Sequence, residues 1–134
     1  MAAKRTAKKT LYRVNESLSG KDLWAYTWAI FNVVGMVGKS AKGATPGDLS
    51  AFYNSPSVVR HHTGNKNFGR KDGRVILTAK GKAHFAGRLS EDSAQFVEKS
   101  EAAAIAKALR SGKDSDLPEI WQGAVTLSPV ELKG

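Results

Sequence analysis

The feature that most constrains the fold is one apolar segment, "LWAYTWAIFNVVGMV", which covers residues 23–37. Its 15 residues, which include one threonine and one asparagine, fall short of the ~20 that a membrane-spanning helix needs. Ser19, followed three residues later by Asp22, is typical of a capping box and predicts a helix that begins near Gly20. Because apolar side chains cover most of this helix, we expect the rest of the chain to pack around it. Its tryptophans are expected in the core rather than stacked on bases.

Two short helices are predicted next, each from a cap followed by a proline. In "TPGD", Thr45 stands as the N-cap, Pro46 takes the first helical position and Asp48 completes a capping box. In "SPSVVRHHTG", Ser55 caps a second helix, which Gly64 ends. The few residues between the two helices leave room only for a tight turn. This arrangement predicts a helix-turn-helix.

The periodicity changes after the second short helix, where two extended segments flank the pair Asp72-Gly73. The pair is a strong signal for a β-hairpin, because both central residues of the tightest hairpin turns take positive φ. Thr78 then caps a further helix, "AKGKAHFAGRL". Helix, helix, tight turn, helix, hairpin and helix is the order of a winged helix-turn-helix domain. The predicted class is α+β, mainly α with a small β-hairpin.

Two short motifs resemble those of a known family. "LTAKG", at 77–81, resembles the Leu-Thr-x-x-Gly that ends the wing and opens the next helix in bacterial winged-helix repressors, including those like the multiple-antibiotic-resistance regulators. "DGR", at 72–74, looks like the Asp-x-Arg at the wing tip of that family. The resemblance covers about residues 19–89. It implies DNA binding, with Asp72 orienting Arg74 toward a minor groove.

The chain is predicted to have three parts: a basic flexible arm at 1–18, the winged-helix domain at 19–89 and a C-terminal helical extension at 90–134. In the extension, "SEAAAIAKALRSG" predicts a helix over about residues 101–111. A short strand or turn is expected at 124–127. The helix has an alanine-rich face, which suits packing on the domain or, as the alternative, a homodimer contact.

Charge is distributed unevenly along the chain. Residues 1–89 hold 16 Lys or Arg and 4 Asp or Glu, a balance of +12, whereas residues 90–134 hold 5 and 8, a balance of −3. One sign of charge over most of a small domain favours a polyanionic partner. We expect double-stranded DNA, with RNA as the alternative. The chain has no cysteine, which favours an intracellular protein. Together with the expected DNA partner this predicts a cytoplasmic, DNA-associated location, and no membrane segment is expected.

The predicted DNA-contacting residues lie on the second short helix, on the hairpin and in the N-terminal arm. Arg60 is the best candidate for a base contact in the major groove, while Val58, Val59 and His62 are expected to pack beneath the same helix. Cations of the hairpin and arm are expected to neutralise phosphates or to reach a minor groove. The full set is Ser55, Ser57, Arg60, His61, Thr63, Lys66, Arg70, Lys71 and Arg74, with Lys4, Arg5, Lys8 and Lys9 of the arm.

The adjacent His61 and His62 raise the question of a metal or catalytic site. Neighbouring residues on a helix point about 100° apart, whereas helical zinc ligands are spaced i, i+4, so no metal is predicted. A nuclease needs more free carboxylates than this half of the chain offers. We therefore expect a binding protein without a cofactor: a transcriptional regulator or the DNA-recognition part of a phage, plasmid or defence system. The alternatives are an RNA- or protein-binding winged helix and, less favoured, a small nuclease.

Overall fold

The structure, a computed structural model, describes residues 10–37, 41–53, 56–90 and 99–131. These residues form five α-helices and two antiparallel sheets of two strands each, which confirms the predicted α+β class. In chain order the elements are β1 (Thr10–Val14), α1 (Gly20–Val34), α2 (Pro46–Tyr53), α3 (Pro56–Gly64), β2 (Phe68–Lys71), β3 (Arg74–Leu77), α4 (Ala79–Ser90), α5 (Lys99–Ser111) and β4 (Leu127–Glu131). None of the described helices is long and apolar enough to cross a membrane.

Helix α1 is the centre of the core, as its apolar composition predicts. Ile30 and Phe31 have no exposed surface, and helices α4 and α5 both pack against α1. Full burial of large apolar side chains such as these stabilises the fold by roughly 1.5–3 kcal/mol each. Trp24 and Trp28 are half-buried and pack against the same cluster. Gly35, with φ of 80°, ends the helix in the left-handed conformation that glycine adopts without strain.

Tyr26 joins α1 to two neighbouring elements. Its hydroxyl donates to the backbone carbonyl of Phe52 in α2 over 2.9 Å and accepts from the backbone N–H of Val14 in β1 over 3.3 Å. Burial raises the pKa of Tyr26 above its usual range, so the hydroxyl remains a donor at any physiological pH. These two hydrogen bonds hold β1 and the end of α2 against the central helix.

The caps predicted for α2 and α4 are confirmed. Thr45 Oγ1 accepts from the N–H of Asp48 over 3.0 Å, and Thr78 Oγ1 accepts from the N–H of Gly81 over 3.0 Å. Each cap satisfies one of the backbone donors that a helix start leaves without a partner in the helix. Ser55, the predicted cap of α3, lies outside the described residues.

The predicted hairpin is present, and a residue outside it pairs with one of its strands. Asp72 and Gly73 close it with φ angles of 53° and 78°, the sign that a two-residue hairpin turn requires. Ala44, between α1 and α2, bridges to Val75 of β3 through two backbone hydrogen bonds of 2.8 and 2.7 Å. Gly43 allows this approach, because a Cβ there would lie 2.5 Å from the Val75 carbonyl oxygen. The chain before α2 is thereby held against the hairpin.

Strand β1 shows that the flexible arm predicted at 1–18 is wrong for residues 10–14. These residues pair antiparallel with β4, and Leu11 and Val14 are buried in the core. Burial of the two apolar side chains together with the strand hydrogen bonds favours an ordered strand over a solvated arm. The Arg13 guanidinium also donates to the carbonyl of Ala51 over 2.8 Å, so Arg13 is tied to the end of α2.

The strand predicted at 124–127 is displaced toward the C-terminus. It is β4, which begins at Leu127, whereas the chain before it turns out of a 3₁₀ segment, Glu119–Trp121. Pro129 is tolerated inside β4 because the sheet has only two strands and one side of each strand is an edge. The strand position depends on its partner β1, which no local pattern in the extension indicates.

The capping box predicted for Ser19 and Asp22 does not form. Among the described residues Ser19 makes no side-chain cap bond, although it occupies the N-cap position of α1. Asp22 instead accepts from the indole N–H of Trp121 over 3.2 Å. Trp121 is therefore buried within its own chain, against the start of α1.

Helix α5 confirms the helix predicted at about 101–111 and uses its small residues for packing within the chain. Ala102, Ala106 and Ala108 are buried, and α5 packs against both α1 and β1. Gly112 ends the helix with φ of 75°, and a Cβ there would lie 2.5 Å from the ring of Tyr12. Intramolecular contacts thus account for the alanine-rich face, and a homodimer contact stays a prediction.

Candidate nucleic-acid interface

Helix α3 packs on α2 through Val59 and leaves polar residues at its surface. Ser57, Arg60 and His61 are exposed. Thr63 differs from the predicted exposed set, because it is half-buried and its hydroxyl donates to the backbone carbonyl of Val59 over 2.7 Å. This bond uses the single donor of the hydroxyl, so Thr63 retains only acceptor capacity for a partner.

The hairpin sends its cations to opposite faces. Arg70 lies opposite Val75 and two residues after the buried Phe68, so it shares the face of the hairpin that covers the helices. Lys71 lies opposite Arg74, and both share the other face. Arg70 and Lys71 are exposed, whereas Arg74 is half-buried. Three cations predicted as one group therefore divide into two.

Arg70 lines a cavity of about 310 Å³ between α2, α3 and the hairpin, which we call the arginine cavity. Arg60 approaches it from α3 and Arg70 from β2. The remaining lining residues are Pro46, Ser50, Val59 and Thr63. None of these lining residues carries a carboxylate. Two arginines that line one opening without an acid favour an oxyanion, which guanidinium groups bind through paired N–H donors.

Lys71 and Arg74, on the other face of the hairpin, line a second cavity of about 330 Å³. Its remaining lining residues are Ala41, Lys42 and Asp72. Asp72 supplies one carboxylate here, so the charge of this cavity is partly balanced. Among the described residues no ion pair joins Asp72 to Arg74. The orientation of Arg74 by Asp72 that the family resemblance implies is therefore not seen at ion-pair distance.

The other predicted site residues are dispersed. Lys66 is exposed in the turn after α3, with φ of 65°, and lines neither of these two cavities. Ser57 lies in the first turn of α3, apart from the arginine cavity lining. Ser55, Lys4, Arg5, Lys8 and Lys9 lie outside the described residues.

All three histidines of the chain, His61, His62 and His84, line a third cavity of about 370 Å³ on another side of α3. Trp24, Asn65, Asn67 and Lys80 complete its lining. We call this the histidine cavity. His61 was predicted to act with Arg60 on DNA, but the structure places it here, where its Nε2 lies 3.2 Å from the amide nitrogen of Asn65.

His62 is held in its neutral form by its surroundings. Its ring lies 5.1 Å from that of Phe68 and 5.2 Å from that of Phe85, so it packs against the core as predicted. Burial, reinforced by His61 and His84, lowers the pKa of His62 from 6.5 to about 4. At neutral pH the ring therefore offers one donor and one acceptor.

Sequence reasoning missed several residues of these cavities, including Ser50, Lys42 and Lys80. Ser50 reaches the arginine cavity because α2 packs on α3, and Lys42 reaches the hairpin because Ala44 bridges to Val75. Neither packing contact follows from a local motif. The only signal that could have indicated Lys42 and Lys80 is the positive balance of residues 1–89.

Among the described residues no group of three or more His, Cys, Asp or Glu side chains could hold a metal ion. Comparison of the chain with protein-family models, with curated proteins and with solved structures finds no match in any of the three. The geometry and charge of the cavities are therefore the basis on which function is assigned.

Proposed function

We propose that the protein binds double-stranded DNA through a winged helix-turn-helix, as a transcriptional regulator or as the DNA-recognition part of a phage, plasmid or defence system. The observation that carries the proposal is the arginine cavity, which both Arg60 of α3 and Arg70 of the hairpin line and whose lining includes no carboxylate. A phosphate of the DNA backbone is the oxyanion that such a pair would hold.

The order of elements supports the winged-helix assignment. Helices α1, α2 and α3 precede the hairpin, and α4 follows it. The bridge between Ala44 and Val75 adds the segment before α2 to the hairpin, as a winged helix requires of the chain between its first two helices. In such a fold α3 faces a major groove and the hairpin reaches the adjacent backbone.

The cavity also refines the role of Arg60. A base contact was expected from its place on α3, but its partnership with Arg70 favours a shared backbone phosphate. On this reading both arginines set affinity and position on the duplex, and Ser57, exposed in the first turn of α3, is the candidate for a contact with base edges. Lys71, Arg74 and Lys42 would contact phosphates on the other side of the hairpin.

Competition binding at fixed salt tests the proposal directly. The same labelled protein is titrated with duplex DNA, duplex RNA and single-stranded DNA of equal length, and each titration is repeated over a range of salt concentrations. With about five phosphate contacts, log affinity for duplex DNA should fall against log salt with a slope of about −4 to −5.

A charge-matched pair of variants shows whether the cations of the arginine cavity are responsible for this salt dependence. Arg70→Ala removes a cation of the arginine cavity, whereas Lys107→Ala removes one from α5, where Lys107 pairs with Asp116 over 3.6 Å. Only Arg70→Ala should make the slope shallower, by about one unit. A flat salt response, or tighter binding to either competitor, contradicts the proposal.

A further inference from the structure

The histidine cavity has no role in duplex binding as proposed above, yet it has the properties of a ligand site. It is concave, lies between α1, α3 and α4, and its volume of about 370 Å³ falls in the lower part of the range of small-molecule sites, roughly 300–1,000 Å³. Its lining combines aromatic rings, carboxamides and one ammonium group, with no carboxylate among the lining residues.

The aromatic part of the lining is formed by an indole and the imidazoles. The rings of Trp24 and His84 lie 5.4 Å apart in an edge-to-face arrangement, and those of His61 and His62 lie 5.2 Å apart in a similar one. Walls of this kind suit a flat heterocyclic ring, because tryptophan and histidine rings are common stacking partners of nucleobases.

The amide of Asn67 adds a requirement for a polar partner. Asn67 is 5% exposed, its Nδ2 lies 3.4 Å from His62 Nδ1, and its Oδ1 is buried without a hydrogen-bond partner among the described residues. A 180° rotation of the Asn67 carboxamide exchanges Oδ1 and Nδ2 but still leaves one of them without a hydrogen-bond partner among the described residues. An unsatisfied buried polar atom costs about 1–3 kcal/mol. A base edge, which carries a donor beside an acceptor, would satisfy the amide in either orientation.

Lys80 supplies the charge of the cavity. Its exposed ammonium donates one bond, over 3.0 Å, to the backbone carbonyl of Asn65. An ammonium has three N–H donors, so further donors remain for an anion. With no carboxylate in the lining, the field at the mouth of the cavity favours a phosphate over a cation.

We propose that the histidine cavity binds a nucleotide unit, an aromatic base with its phosphate. The base lies against the Trp24 and His84 rings with its edge toward Asn67, and the phosphate lies at Lys80. The unit comes from a free mononucleotide or from an unpaired position of a single strand. This inference does not rest on the proposed duplex binding, since neither Arg60 nor Arg70 lines the histidine cavity.

The three histidines make the test unusually direct, because every histidine signal of the protein comes from this cavity. Two-dimensional NMR of the imidazole C–H groups is recorded for the full chain, without DNA, while nucleoside monophosphates are added. Parallel titrations use the corresponding nucleosides, inorganic phosphate and short single-stranded trinucleotides. We expect all three histidines to shift together and saturably, with one dissociation constant, for a mononucleotide, a trinucleotide or both.

Response to the mononucleotides assigns the site to free nucleotides, and response to trinucleotides alone assigns it to strands. Lys80→Ala should weaken binding of the phosphorylated ligand by about tenfold, the loss of one charge-assisted hydrogen bond. Its control, Lys82→Ala, removes another exposed cation of α4 that does not line the cavity and should leave binding unchanged. The proposal is overturned if no nucleotide or trinucleotide shifts the histidines, if inorganic phosphate alone reproduces the shifts, or if both lysine variants weaken binding equally.

Discussion

The basic face and the closing region of the molecule are built in different ways. The basic face, from α2 through the hairpin to the start of α4, is shaped by short-range caps and a two-residue turn. The closing region, made of β1, α5 and β4, is held by strand pairing between residues 10–14 and 127–131.

Their charges differ in the same sense. Around α5 of the closing region Glu101 lies 3.5 Å from Lys21 of α1, and Lys107 lies 3.6 Å from Asp116 just after the helix, so acids and bases meet as pairs. In the arginine cavity Arg60 and Arg70 face the same space without an acid. Exposed pairs of the first kind contribute at most about 1 kcal/mol each. Charges left without such partners are available to bind, as the proposed function requires of the basic face, whereas the paired charges around α5 belong to the structural framework.

The largest expected effect comes from the closing region. Leu11→Ala should lower the free energy of unfolding by about 3 kcal/mol, since a buried leucine loses its packing and leaves a cavity. Leu11 is 1% exposed, whereas Leu23, a matched leucine on α1, is 38% exposed. Leu23→Ala should cost less than about 1 kcal/mol. Urea denaturation of both variants measures the difference. Equal losses would show that residues 10–14 belong to a flexible arm rather than to an ordered strand.

A glycine of the basic face should give the next largest effect. A Cβ on Gly81 would lie 2.0 Å from the backbone carbonyl oxygen of Asn67, so Gly81→Ala forces backbone to move and should cost about 2–3 kcal/mol. Gly47, in α2, has nothing within 4 Å of the same position. Gly47→Ala should therefore be neutral or stabilising by up to about 1 kcal/mol. If thermal unfolding of the two variants is alike, the close approach of α4 to Asn67 is not required.

Protonation of His62 should have a smaller effect on the free energy of unfolding, and only at acidic pH. Its pKa is about 4 in the folded protein and 6.5 as the ordinary value, so the unfolded chain binds more protons between these pH values. Stability should therefore fall as the pH is lowered from 6.5 to 4, by about 1–2 kcal/mol after allowance for the exposed part of the ring.

Urea denaturation at several pH values between 7 and 4 measures this dependence. His62→Leu should remove most of it, because leucine does not titrate, while His61→Ala, at an exposed position, should retain most of it, since burial is the main cause of the lowered His62 pKa. A His62→Leu variant with the full dependence of the parent would place its origin elsewhere.

The same contrast between the regions explains how much the sequence could predict. Thr45, Thr78 and the pair Asp72-Gly73 act over a few residues, so the elements of the basic face follow from local patterns. The pairing of β1 with β4 depends on contacts across more than 100 residues, which no short motif encodes. Asp22 has the spacing of a capping residue but accepts from Trp121 instead, because packing places the indole N–H 3.2 Å from its carboxylate.

The sequence indicates which residues belong to the candidate site but not which of them lie together. Positive charge and the position of α3 indicate Arg60, Arg70, Lys71 and Arg74 as candidate DNA contacts, and the structure leaves the first three exposed and Arg74 half-buried. Their division between two faces follows from the hairpin register, in which Arg70 lies opposite Val75. His61 was assigned to the same surface because it neighbours Arg60 in sequence, although one helical step directs it to a different cavity.

The arginines of the cavity should matter least for folding and most for DNA. Arg60→Ala and Arg70→Ala should each change the free energy of unfolding by less than about 0.5 kcal/mol, as is usual for surface positions. Near-normal stability makes both variants suitable for binding measurements. A loss of stability beyond this would show that the cavity is part of the structural framework.

The measurement that tests the central claim most directly is a double-mutant cycle on duplex DNA, with Arg60→Ala, Arg70→Ala and the double variant titrated over a range of salt. If the two side chains hold one phosphate jointly, so that neither holds it alone, each single change should lower the salt slope by about one unit, and the double variant should lower it little further. Losses should be equal on a selected site and a scrambled duplex. Arg60→Ala combined with Lys71→Ala, on the other face, should instead be additive. Additive losses for Arg60 and Arg70, or an Arg60→Ala effect on the selected site alone, would contradict the account.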